Sequence, residues 1–138
     1  MKFKDFIKQG QARTASKDKS LAKALIQNAK RDIGFLDSLK INEQSSRKLM
    51  TNYYDVLRSI IEAISSLDGY KIYSHEAFTY FLKEKNEEIL SIKFDRFRKI
   101  RNSINYYGED IPVEETKENI REIKKMIKIL YDKYLKEI

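Results

Sequence analysis

The stretch LMTNYYDVLRSIIEAISSLDG, residues 49–69, decides the fold class of this chain. Its apolar residues recur at steps of three and four, the spacing that places side chains on one face of an α-helix. This apolar stripe comprises Leu49, Tyr53, Val56, Leu57, Ile60, Ile61, Ile64 and Leu67. Gly69 follows directly, as expected where a left-handed glycine ends a helix. We therefore predict a long helix from Glu43 to about Leu67, with Asn42 as its N-cap.

The same spacing predicts helices on both sides of this stretch. We expect an N-terminal extension or short helix within residues 1–15, then helices over about 17–39, 74–83, 87–107 and 115 to the C-terminus. In the helix over 17–39 the predicted core face consists of Leu21, Ala24, Leu25, Ala29, Ile33, Leu36 and Leu39. Four Gly and one Pro are too few for many strands and tight turns. The sequence therefore predicts a single all-α domain over residues 1–138, an up-and-down four-helix bundle with additional short helices.

Composition excludes several classes of site. The chain has no Cys, which rules out disulfides, thiolate metal sites and Cys nucleophiles. It has one His, so we expect no metal site and no cofactor. We find no secretory signal and no apolar run near the length of a membrane span, so we expect a cytoplasmic protein without a membrane partner. Abundant Lys, Glu and Ile without Cys are typical of thermophile proteins.

The balance of charges is strongly positive. The formal net charge is +7 at pH 7, with 28 Lys and Arg against 21 Asp and Glu. Such an excess favours a polyanionic partner such as RNA, DNA or an acidic protein. It is equally compatible with an ordinary solvated surface, and both interpretations stay open at this point.

Residues 93–108, KFDRFRKIRNSINYYG, combine an apolar face with an unusual group of polar residues. On a helix, Arg98, Asn102 and Asn105 lie beside the apolar arc and Arg101 falls at its margin. An arginine at such a margin needs a partner, because burying an unpaired charge is costly. The group is suited to a phosphate, whose oxygens match the guanidinium fork. The alternative is an arginine that reaches solvent or pairs with a glutamate on another helix.

This segment resembles the signature of HEPN domains, in which an Arg, commonly followed by Asn, precedes a His by a short spacer. Arg101 and Asn102 match the first part, and Tyr106 stands where the His of the family most naturally falls. The resemblance continues in residues 53–82, YYDVLRSIIEAISSLDGYKIYSHEAFTYFL, which are similar to the second helix, turn and following helix start of archaeal HEPN proteins. With the final helix it covers roughly residues 17–138.

The resemblance implies a homodimer that brings two motif helices together at one cleft. HEPN proteins include metal-independent endoribonucleases, often toxins of toxin–antitoxin pairs, and nucleotide-binding partners of small nucleotidyltransferases. In the nucleases the Arg stabilises the phosphate and the His assists proton transfer. The residues that match or flank the motif, and so become candidates for RNA or nucleotide binding, are Arg98, Arg101, Asn102, Asn105, Tyr106 and Tyr107. Of these, Arg101, Asn102 and Tyr106 are the candidates for a catalytic role.

A tyrosine at position 106, where the HEPN family has a histidine, predicts binding with weak or no cleavage. A tyrosine ordinarily has a pKa of about 10 against about 6.5 for histidine, and is a poor general base near neutrality. Positions 101 and 106 lie about 140° apart on a helix, so we expect them to meet only across a dimer. We expect the lone His75 to have a capping or structural role. Two alternatives stay open: an active endoribonuclease in which another group replaces the His, and a non-catalytic helical interaction subunit.

Overall fold

The computed structural model describes residues 1–138 and is almost entirely helical. In chain order the elements are α1 (Phe3–Lys8), β1 (Ala12–Thr14), α2 (Lys19–Asp37), α3 (Ser46–Asp68), β2 (Tyr70–Ile72), α4 (His75–Glu84), α5 (Glu88–Tyr107) and α6 (Val113–Leu130). A single π-helical turn, Tyr131–Leu135, extends α6. The predicted all-α class is confirmed, with four long helices and short additional ones.

The central helix of the fold is α3, the element with the strongest apolar periodicity. It packs against α2 and α6 along its length, and also contacts α4 and α5, which pack on each other. Tyr54, Leu57 and Ile61 on α3 are completely buried. Tyr54 lies outside the predicted stripe, because α3 is surrounded by helices and buries more than one face. The other elements are therefore arranged around α3.

The ends of α3 show one correct and one wrong prediction. Gly69 adopts the left-handed conformation at the C-terminal end with φ of 85°, as predicted. Asn42 is not the N-cap of the helix. Its side-chain oxygen accepts hydrogen bonds from the backbone N–H groups of Gln44 and Ser45, at 2.9 and 3.0 Å. Asn42 thus closes a turn, and the helix begins three residues later than predicted, at Ser46.

A two-stranded antiparallel ribbon joins the N-terminal segment to the region after α3. Strand β1 pairs with β2 in a register that places Ala12 opposite Ile72. We did not predict it, because two three-residue strands are too short to produce a periodic signal. The ribbon positions α1 so that Phe3 and Phe6 are buried in the common core. The N-terminal segment is therefore an integral part of the domain.

The inward face of α2 differs from the predicted one. Its buried residues are Ala22, Ile26, Ala29 and Leu36. Leu21 and Leu39, both predicted to be core, are exposed. Because α2 lies in the outer layer and its chief contact is with α3, only a narrow strip of it is buried. No helix of the chain has both the length and the apolar character required to cross a membrane.

Candidate functional site

A polar cavity of about 550 Å³ opens between α2, α3, the start of α4 and α5. We call it the Arg101 cavity. The polar and charged side chains among its lining residues are Asp32, Asn52, Asp55, Arg58, Ser59, His75 and Arg101. Its volume lies within the range of small-molecule sites in proteins, roughly 300–1,000 Å³. The fold thus brings together side chains from four helices around a space large enough for a nucleotide.

Arg101 enters this cavity from α5 without a carboxylate partner. Its Nη1 donates hydrogen bonds to Asn102 Oδ1 at 3.2 Å and to the hydroxyl of Tyr106 at 3.4 Å. The guanidinium carbon also lies 5.6 Å from the centre of the Tyr106 ring. These neutral contacts orient the side chain but do not compensate its charge. A half-buried guanidinium without a direct carboxylate partner favours an anionic ligand.

Arg101 and Tyr106 meet within one chain, contrary to our geometric prediction. The angle of about 140° applies to the directions in which the two side chains leave the helix. Both side chains are long enough to span this angle at the C-terminal end of α5, where the hydroxyl of Tyr106 accepts the hydrogen bond. A contact between these two residues therefore does not require a second subunit.

His75 is a member of the cavity that the sequence did not predict. It is the first residue of α4, directly after the N-cap Ser74, whose Oγ accepts a hydrogen bond from the Ala77 N–H at 3.3 Å. Ser74 therefore caps α4, and His75 has no part in the cap. The imidazole lines the cavity, and its Nδ1 lies 2.8 Å from the hydroxyl of Tyr54 on α3.

The electrostatic surroundings keep His75 neutral. Burial lowers its pKa to about 4 from the ordinary 6.5. The positive charges of Arg101, Arg58 and Arg98 lower the pKa of His75 further, because they disfavour an imidazolium. The ring is therefore uncharged at neutral pH.

Arg58 and Asp55 give the α3 wall of the cavity one charge of each sign. Arg58 has a loose ion pair with Glu62, one turn along the same helix, with 3.6 Å between nitrogen and oxygen. Burial raises the pKa of Asp55, whereas the charges of Arg58 and Arg101 oppose this rise. Asp55 accepts no hydrogen bond within the chain, so its carboxylate stays available to a ligand.

The remaining sequence candidates lie outside the cavity wall. Asn105 and Tyr107 are exposed near the end of α5. Arg98 forms an ion pair with Asp95, one turn earlier on the same helix, through Nε and Nη2 at 2.9 Å each. Arg98 therefore pairs with an aspartate of its own helix, not with a glutamate of another helix, whereas Arg101 forms no ion pair.

Comparison of the chain with protein-family models, with curated proteins and with solved structures finds no match. The HEPN resemblance therefore stays a prediction that rests on the two quoted segments. The chemistry of the Arg101 cavity follows from its own residues: the guanidinium groups of Arg58 and Arg101, the imidazole of His75, and the carboxylates of Asp32 and Asp55.

Proposed function

We propose that this chain is a HEPN-like protein that binds RNA or a nucleotide, with a phosphate held in the Arg101 cavity. The observation that supports this most strongly is the guanidinium of Arg101, which lines a ligand-sized cavity beside Arg58 and lacks a carboxylate partner. Charge-assisted bonds from guanidinium to phosphate oxygens are among the strongest polar contacts in proteins. The net charge of +7 would draw a polyanion toward the site. RNA and nucleotides are abundant in the cytoplasm, where we propose that the protein acts.

Two further residues favour a ribonucleotide over a bare phosphate. The carboxylate of Asp55 faces the same cavity and is a pure acceptor, which suits a sugar hydroxyl and disfavours a second anion. Phe35 also lines the cavity and is 64% exposed, although it is a large apolar residue. An exposed aromatic ring of this kind can stack on a base, a contact worth about 1–3 kcal/mol per base in single-strand binding proteins. Phosphate, sugar and base thus each have a complementary group.

We propose that cleavage is weak or absent, since Tyr106 occupies the position of the HEPN histidine and contacts Arg101. A metal-independent endoribonuclease is the second candidate function, because His75 shares a cavity with Arg101. Incubation of a labelled RNA with the protein in EDTA separates the two. We expect bound RNA to be recovered intact, and brisk cleavage would establish the second candidate.

We also propose that the protein is a homodimer that forms through α5. Ile89 and Ile92 near the start of this helix are 70% and 60% exposed, and Tyr106 and Tyr107 at its other end are also exposed. Light scattering at micromolar concentration should give twice the chain mass of 16.4 kDa. A purely monomeric species would refute the dimer and leave the face free for a different protein, such as a small nucleotidyltransferase.

The binding proposal is tested by fluorescence anisotropy with a labelled single-stranded RNA over a range of salt concentrations. Arg101→Ala should weaken binding by about tenfold or more, since a hydrogen bond to a charged group contributes roughly 1.5–3 kcal/mol. It should also make the log–log salt slope less negative by about 0.7, the value of one phosphate contact on a single strand.

Arg121→Ala is the matched control. It removes the same charge from α6, which contributes no residue to the cavity, and Arg121 already pairs there with Glu118. We expect less than about a twofold loss, because exposed ion pairs contribute little. Equal losses from the two substitutions would show that only diffuse positive charge holds the RNA.

A further inference from the structure

The hydroxyl of Tyr54 has a single partner in the protein. Tyr54 is 0% exposed, and its hydroxyl forms one hydrogen bond, to His75 Nδ1 at 2.8 Å. The two rings lie nearly parallel, at 18°, with centres 5.7 Å apart. Tyr54 also packs against Phe94 on its other side, at 5.4 Å between ring centres. The hydroxyl is therefore held in place and cannot turn to solvent.

The proton in this hydrogen bond can belong to either partner, with different consequences. If Nδ1–H of His75 donated to Tyr54, the phenolic proton would be buried without an acceptor. An unsatisfied buried donor is costly, so this arrangement is disfavoured. If Tyr54 donates to Nδ1, both groups are satisfied. Burial raises the pKa of Tyr54, which keeps the phenol protonated and able to donate.

A neutral imidazole has one proton, so an Nδ1 that accepts leaves the proton on Nε2. Nε2 has no hydrogen-bond partner within the chain, and no buried side-chain nitrogen or oxygen atom lacks a partner. Nε2 is therefore accessible, on a ring that lines the cavity with Arg58 and Arg101. The hydrogen that it presents there is a donor beside two guanidinium groups.

We infer that Tyr54 is a positioning residue that holds His75 in its Nε2–H tautomer, so that His75 donates a hydrogen bond to the phosphate ester bound by Arg58 and Arg101. Phosphoryl oxygens only accept hydrogen bonds, and they complement this set of three donors. A general base would instead need an unprotonated nitrogen directed at the sugar hydroxyl. The inference rests on the proposed function, and it explains why a site with a histidine beside an arginine would bind RNA without cleaving it.

The tautomer is directly measurable because His75 is the only histidine of the chain. Long-range proton–nitrogen NMR correlations of the ¹⁵N-labelled imidazole should show Nε2 protonated and Nδ1 unprotonated in the ligand-free protein near neutral pH. In Tyr54→Phe, which removes only the hydroxyl, we expect a mixture of tautomers. An Nδ1–H tautomer in the wild type, or an unchanged tautomer in Tyr54→Phe, would overturn the inference.

The donor role is tested by substituting His75 itself and measuring RNA affinity in EDTA. The side-chain amide of Gln can replace the Nε2–H donor, whereas Ala cannot. We expect His75→Ala to bind about tenfold more weakly, and His75→Gln to remain within about threefold of the wild type. Equal losses in the two variants would refute the donor role, even if Tyr54→Phe failed to fold.

The two experiments also separate this inference from the proposed function. The spectrum is recorded without RNA, so the tautomer is decided whether or not RNA binds. Tight binding that depends on Arg101, together with an Nδ1–H tautomer, would overturn only the inference. No binding of any phosphate ester would overturn both the proposed function and the donor role, and would leave Tyr54 with a structural role alone.

Discussion

Replacing His75 with Gln should remove a defined part of the acid sensitivity of the folded protein. The pKa of His75 is about 4 in the folded chain against 6.5 ordinarily. Between these values the unfolded chain binds a proton that the folded chain does not, so stability falls as the pH decreases from 6.5 toward 4. This loss of stability is complete near pH 4 and absent well above pH 6.5.

The size of this effect follows from the same two values. A difference of one pKa unit corresponds to about 1.36 kcal/mol in the free energy of unfolding, so the loss of stability is at most about 3 kcal/mol. The imidazole is partly exposed, and screening by water reduces the expected loss to about 1–2 kcal/mol. A loss of this size is a substantial fraction of an ordinary domain stability of about 5–15 kcal/mol.

The assay is urea unfolding followed by circular dichroism, for wild type and His75→Gln, between about pH 7 and pH 4.5. Burial opposes ionisation of Asp37, Glu87 and Asp95, but hydrogen bonds from cationic or hydroxyl groups outweigh it and lower their pKa values. These carboxylates therefore also lose stabilising contacts in acid. They are common to both proteins, so the difference between the two curves isolates His75. We expect the wild type to lose about 1–2 kcal/mol more than the variant. Parallel curves would refute the conclusion that the cavity keeps His75 neutral.

Three other predictions concern the core, a turn and the tyrosine that replaces the HEPN histidine. Phe94→Ala should lower the free energy of unfolding in urea by about 3–5 kcal/mol, because Phe94 is fully buried; a loss below about 1 kcal/mol would contradict this packing. Gly69→Ala should lower the melting temperature more than Gly108→Ala. Both glycines have a positive φ, but only at Gly69 would the new Cβ meet a backbone oxygen, at 3.0 Å. Tyr106→His should gain metal-independent RNA cleavage that Arg101→Ala abolishes, as measured by gel analysis in EDTA. No gain would show that the cavity lacks the geometry of an active HEPN site.

The parts of the fold that the sequence predicted are those with long periodic signals. The stripe of α3 extends over more than five turns, so its spacing distinguishes a helix from a strand without any tertiary information. Gly69 was also recognisable, because the conformation at the end of a helix restricts residue type locally. The N-cap of α3 was placed wrongly at Asn42, because a residue type that caps helices can also close a preceding turn.

The site could be predicted only in part, because it depends on packing between elements distant in sequence. Arg101 was recognisable from its position at the margin of an apolar arc. The approach of His75 to Arg101 depends on how α4 packs on α5, and no spacing within either helix encodes it. The buried hydroxyl of Tyr54 had no signal at all, since a tyrosine within an apolar helix is read as core. Placing Arg101 and Tyr106 by helix angle alone failed because the angle ignores the reach of long side chains.

The most direct test of the central claim, that a phosphate of RNA is held in the Arg101 cavity, is an NMR titration of the ¹⁵N-labelled protein with a short single-stranded RNA. We predict that the shift changes concentrate on residues 52–59 of α3, on His75 and on the side-chain Nε of Arg101, and that they saturate together with a single affinity. Changes spread over the lysine-rich faces of α2 and α6, with the cavity residues unmoved, would contradict the claim.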